Sequence, residues 1–164
     1  MKKLNHSNVE RLESRIAPAS LVNPKTVTFV DADGDDVTVH ISKPLFTADN
    51  FEQALSFASS DTPLPGGISG ERLLRFDVKQ LGLAAQGLDI AITAERSALH
   101  GGDGHVNIGA VDAFDSGNAA SVDLGRVRVD GDLNFIDAGD AVLSTPGLKS
   151  LKAESIGVSI LYWG

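Results

Sequence analysis

The sequence predicts a mostly β protein: a short right-handed parallel β-solenoid preceded by a β-hairpin and one short α-helix. Three observations lead there. Apolar residues alternate with polar ones in several short segments, the period of a half-buried strand. Seventeen glycines accompany few aromatics, a composition suited to many tight turns because glycine reaches positive φ without a Cβ clash. After Gly101 the text repeats itself. Gly104–Ala113 is echoed by Val129–Ala138, and Leu148–Gly157 reads as a looser third copy. Units with so few apolar beats cannot bury their apolar face alone, but a stack of them makes a continuous core.

The elements follow in order. Residues 1–20 carry Glu10, Arg11, Glu13 and Arg15 ahead of Ala17-Pro18-Ala19, and read as a disordered tail or address separate from the fold. Residues 21–70 form a hairpin-plus-helix region. Val27 and Phe29 alternate with threonines on one arm, and Val37, Val39 and Ile41 line the other. The connector is Asp31-Ala32-Asp33-Gly34-Asp35-Asp36, rich in turn formers. Thr47 then has the character of a helix N-cap. Phe51, Ala54, Leu55 and Ala58 follow at i, i+3, i+4 and i+7, which places them on one face of a helix of about three turns. Phe46 and Phe51 have hydrophobic-staple spacing. Asp61–Gly70 reads as a loop. Residues 71–164 carry the solenoid-like repeats, with Leu74, Phe76 and Val78 as one alternating set and Leu88, Ile90 and Ile92 as another. The apolar end Val158–Gly164 lacks the polar cap a stack of rungs needs. It predicts either a truncated product or an end completed by another copy through that exposed strand.

Composition bounds the partners. The 164 residues carry a formal net charge of −8, which disfavours a nucleic-acid partner, since phosphate binding needs clustered Lys and Arg. The absence of cysteine excludes a disulfide scaffold and thiolate metal sites. No apolar run approaches the roughly 20 residues of a membrane helix.

The N-terminal run Val9-Glu10-Arg11-Leu12-Glu13-Ser14-Arg15-Ile16-Ala17-Pro18-Ala19 resembles a Leu-Glu-Pro-Arg-type sorting segment. That segment begins many large extracellular proteins of planctomycete and verrucomicrobial bacteria, with Ser14 here in the usual proline position. The Gly- and Asp-rich repeats also look like the β-solenoid bodies of those proteins. The resemblance is specific over about ten residues. It implies an extracellular or cell-surface address and brings no catalytic residues with it.

Site candidates reduce to a few. Asp31, Asp33 and Asp35 stand at positions 1, 3 and 5 of a calcium-loop count, but position 6 is Asp36 rather than glycine and position 12 is Ser42 rather than glutamate. Solvated turn carboxylates are the plainer account of them, and calcium is the one cofactor they would hold. Gly101–Gly109 resembles the calcium-roll nonapeptide, with Val106 where the ligand aspartate belongs. His100, Asp103 and His105 offer a two-histidine, one-carboxylate set, set among glycines that preorganise nothing. Ser69 misses nucleophile-elbow spacing because Glu71 stands where the closing glycine belongs. The expectation is a non-enzymatic structural or adhesive protein whose partner is a cell-surface polymer. A calcium-dependent binding module and a polysaccharide-active enzyme on a β-helix are the alternatives.

Overall fold

A computed structural model describes residues 15–16, 19–117 and 120–157. The chain is mostly β. In order, the elements are β1 (Arg15–Ile16), β2 (Ser20–Asn23), β3 (Thr26–Val30), β4 (Asp36–Ile41), α1 (Phe51–Ala54), β5 (Leu55–Pro63), β6 (Ile68–Asp77), β7 (Leu88–Glu95), β8 (Val106–Asp112), β9 (Leu124–Val129), β10 (Gly131–Asp137), β11 (Leu148–Lys152) and β12 (Ser155–Ile156). Two short 3-10 turns separate β6 from β7.

The strands form two mixed sheets. One runs β1-β6-β8-β10-β12, with β5 antiparallel to β6, and the other runs β11-β9-β7-β4-β3-β2. From β6 onward the chain alternates between them. β8, β10 and β12 each pair in parallel with the strand two earlier, and so do β9 and β11. In the register of β8 and β10, Val106 meets Gly131 and Asp112 meets Asp137. These partners lie twenty-five positions apart, the offset at which the two segments read alike. The looser third copy is placed differently: Leu148 meets Leu124, so Leu148–Gly157 straddles β11 and β12 instead of lying along β10.

Both sheets turn their apolar residues to one shared core. Val27, Phe29, Val37, Val39, Ile41, Leu88, Ile90, Ile92, Leu124, Val127 and Val129 come from one sheet, and Leu55, Leu73, Phe76, Val106, Ile108, Val111 and Leu133 from the other. Alternation explains most of this, since successive side chains of a strand point to opposite faces. The Phe29 and Phe57 rings, one from each sheet, meet edge to face at 5.0 Å, a favoured aromatic geometry.

The hairpin forms between β3 and β4, with Val27 opposite Val39 and Phe29 opposite Val37. Four other expectations need correction. The helix is one turn long, because Leu55 leaves it with extended backbone and Leu55–Pro63 pairs with β6. Serine and phenylalanine after Leu55 hold a helix weakly, and a neighbouring strand offers every backbone group a partner. Thr47 is not the helix N-cap, which is Asn50; the two residues close the preceding turn, the Asn50 N–H donating to Thr47 Oγ1 and the Thr47 N–H to Asn50 Oδ1. The expected loop at 61–70 shrinks to the turn between β5 and β6, since β6 starts at Ile68.

Leu74 is 44 % exposed, while Leu73 and Phe76 are fully buried. Ser56 and Phe57, adjacent on β5, meet Arg75 and Leu73 of β6, so Leu74 is the extra residue of a β-bulge on β6, and it and Arg75 both face outward. The expected tail is also attached at its end. Arg15–Ile16 pairs with Ile68–Ser69, and the Ala19 N–H donates to Glu71 Oε2 at 3.0 Å. Residues 1–14 and the apolar end 158–164 lie outside the described residues.

Candidate functional site

The most unusual chemistry collects at the β3–β4 turn. Gly34 sits at φ +112°, so the chain reverses tightly, and the Asp31 N–H donates to the Asp35 carbonyl. Asp31 Oδ1 accepts three backbone N–H groups, from Asp33 (3.3 Å), Gly34 (3.0 Å) and Asp35 (2.8 Å). This is an aspartate closing its own turn.

Asp35 reaches the other way. It is fully buried, and its Oδ2 accepts the N–H groups of Asp103 (3.1 Å), Gly104 (2.8 Å) and His105 (3.2 Å). Among the described residues its Oδ1 has no hydrogen-bond partner. Gly102 lies against that oxygen, and a Cβ built there would come within 1.9 Å of it. The glycine-rich segment therefore admits the carboxylate into the fold, a role that no local pattern in the sequence marks.

The structure brings Asp31, Asp33 and Asp35 together: one oxygen from each lies within 4.8 Å of the others. Asp31 and Asp35 are buried, and Asp33 is exposed. Burial, with a hydrogen bond to the Asp33 carboxylate and its charge, pushes Asp31 up to about 7; the N–H groups of Asp35 and Gly34 oppose the rise. No Lys, Arg or His forms an ion pair with the three among the described residues. Beside them opens a cleft of about 520 Å³ whose lining includes Asp31, Asp33, Ser60, Thr62, Glu71, Arg72 and Asn107. Glu71, missed by sequence reasoning, is buried, joins Asp31 through a β-bridge, and has its pKa raised by burial.

The remaining candidates do not assemble. His100 Nδ1 meets the Pro65 carbonyl at 3.0 Å, whereas His105 Nδ1 faces Glu154 at 3.1 Å, so the histidines serve different neighbours. Ser69 lies inside β6, not on a strand-to-helix elbow. Val106 is a core residue of β8. A further charged group, also unmarked in the sequence, gathers at the ends of β6 and β8. Asp112 takes Arg75 at 2.6 Å and Lys79 at 2.7 Å, and Asp77 stands beside it in register.

The Asp31 environment fixes a pH response. In cation-free, chelator-treated buffer the folded chain holds a proton on Asp31 up to about pH 7, whereas the unfolded chain releases it near the ordinary aspartate value of about 3.9. Between these values the folded state binds more protons, so this contribution falls as pH rises. It is fully present below about pH 3.9 and lost by about pH 8. Tm measured from pH 5 to 8 is expected to decline, and Asp31→Asn, which keeps the Oδ1 acceptor, is expected to flatten the decline. An unchanged slope in that variant would place the proton elsewhere.

Compared with family models, curated proteins and solved structures, the chain finds no match.

Proposed function

We propose that the chain is a non-enzymatic cell-surface or extracellular protein, structural or adhesive, whose residues 68–156 form a short β-solenoid. The observation that carries this reading is the strand order: each strand from β8 to β12 lies parallel to the strand two earlier, on alternate sheets. Such stacking yields long flat faces, and partners are gripped along a face rather than in a pocket.

The outer face of the β7–β9–β11 sheet suits a polymer. Arg126 stands opposite Ser150, and Arg128 opposite Lys152, with Lys149 exposed on the same edge strand. Four cations thus gather at one edge of an otherwise acidic molecule. Arg126 and Arg128 pair with Asp89 and Asp130 at 3.2 and 2.8 Å. Exposed pairs of this kind are worth little, about 0–1 kcal/mol, and exchange readily for a polyanion. The partner proposed is an acidic cell-surface polysaccharide.

Expressed in a related bacterial host, the full chain is expected in the surface fraction. Purified, it is expected to cosediment with insoluble acidic wall polysaccharide at low salt and to be released as salt rises. Replacing Arg126, Arg128, Lys149 and Lys152 together by serine is expected to weaken binding at least about tenfold with little change in Tm. Wholly cytoplasmic protein would sink the address, and equal binding by the variant would sink the face. New reducing ends in the same incubation would overturn the non-enzymatic reading.

A further inference from the structure

We infer that Asp31, Asp33 and Asp35 hold one divalent cation of the calcium type at the mouth of the cleft, tying the β3–β4 turn to the glycine-rich loop 101–105. Two independent observations support it. One oxygen from each of the three carboxylates falls within 4.8 Å of the others, close enough for a single ion to touch all three. Separately, Asp35 is fully buried, and its Oδ1 has no donor among the described residues. A buried acceptor left bare is costly and calls for a partner.

Backbone N–H groups already occupy Asp31 Oδ1 and Asp35 Oδ2, three on each. These bonds hold two of the ligands in place before any ion arrives. Asp33, exposed and hydrogen-bonded to Asp31, reaches the same point from the solvent side. The neighbouring cleft admits the water that completes a coordination shell.

The ion class follows from the donors. An all-carboxylate set selects a hard cation over zinc or copper. Calcium accepts irregular shells of six to eight oxygens, whereas magnesium demands a near-ideal octahedron. The site lacks the glycine and the bidentate glutamate of an EF-hand loop, so its affinity belongs with extracellular modules, about 10⁻⁴–10⁻³ M. The inference stands apart from the adhesive reading and survives its failure.

The test uses the full chain, stripped with chelator and titrated with calcium chloride by calorimetry and thermal denaturation at constant ionic strength. Expected are one site and a Tm rise of about 3–6 °C at ten times the dissociation constant. Asp33→Asn removes only the exposed ligand. It is expected to melt within about 1 °C of the cation-free wild type and to bind calcium at least about tenfold more weakly. A wild type unmoved by 10 mM calcium, or an Asp33→Asn variant that responds like it, would overturn the site. An equal rise with magnesium would overturn the calcium assignment.

Discussion

Replacing Asp35 by alanine is expected to destabilise the chain by about 3 kcal/mol and to lower Tm by about 6–12 °C. The reason is geometric. Asp35 Oδ2 is the common acceptor of three consecutive N–H groups, those of Asp103, Gly104 and His105. Such bonds contribute about 1–2 kcal/mol each, about 3–6 kcal/mol for the three. Asp103 and His105 are exposed, so water replaces part of what they lose, and the total falls towards the low end. Losing the bare Oδ1 returns a little more. Asp33→Ala, at an exposed position of the same turn, is expected to change stability by only about 0.5 kcal/mol. The two variants are to be compared by thermal denaturation in chelator, with amide exchange followed at residues 103–105. An Asp35→Ala loss below about 1 kcal/mol, or unchanged protection of that loop, would show that the loop holds itself.

Gly131→Ala is expected to cost at least as much, about 3–5 kcal/mol, with a fall in Tm of about 6–20 °C. Gly131 opens β10 at φ +141°, where an L side chain is strained by about 1–3 kcal/mol. It also stands directly opposite Val106 on β8. A Cβ there would come within 2.2 Å of the Val106 carbonyl oxygen and 2.6 Å of its nitrogen. Those are backbone atoms of a paired strand, so relief requires opening the ladder. Gly67→Ala is the control, because Gly67 shares a positive φ (+75°) but has nothing within 4 Å of its absent Cβ among the described residues. Its expected cost is the backbone strain alone, about 1 kcal/mol. Equal losses in the two variants would mean that β8 and β10 do not approach this closely.

These two residues also mark where the sequence stops being readable. The β3–β4 hairpin is legible because β-branched alternation is a local signal, and Val27, Phe29, Val37 and Val39 all land in the core. The helix is not. Phe51, Ala54, Leu55 and Ala58 satisfy a helical period, but Leu55 and Phe57 equally satisfy a strand period, and the neighbouring β6 decides between them. Leu74 fails for a related reason, since a bulge shifts the alternation by one residue and exchanges its place with Leu73. At the site, alternate spacing brings Asp31, Asp33 and Asp35 to notice. Nothing local reveals that Asp35 reaches across nearly seventy residues to 103–105, or that Glu71 lies beside Asp31. Those are properties of the packed chain.

The two ends of the hairpin-bearing sheet are unlike, and this gives the architecture a polarity. At one end β2, β3 and β4 are antiparallel, with a register irregularity between Leu21 and Asn23. A further parallel strand has no continuing register to follow there. At the other end β11, the last strand of this sheet among the described residues, extends the parallel order and presents Lys149 and Lys152, charges of the kind that guard an open edge. Lengthening by duplication of the β8–β9 segment would therefore proceed from the β11–β12 side, with the hairpin as its fixed origin.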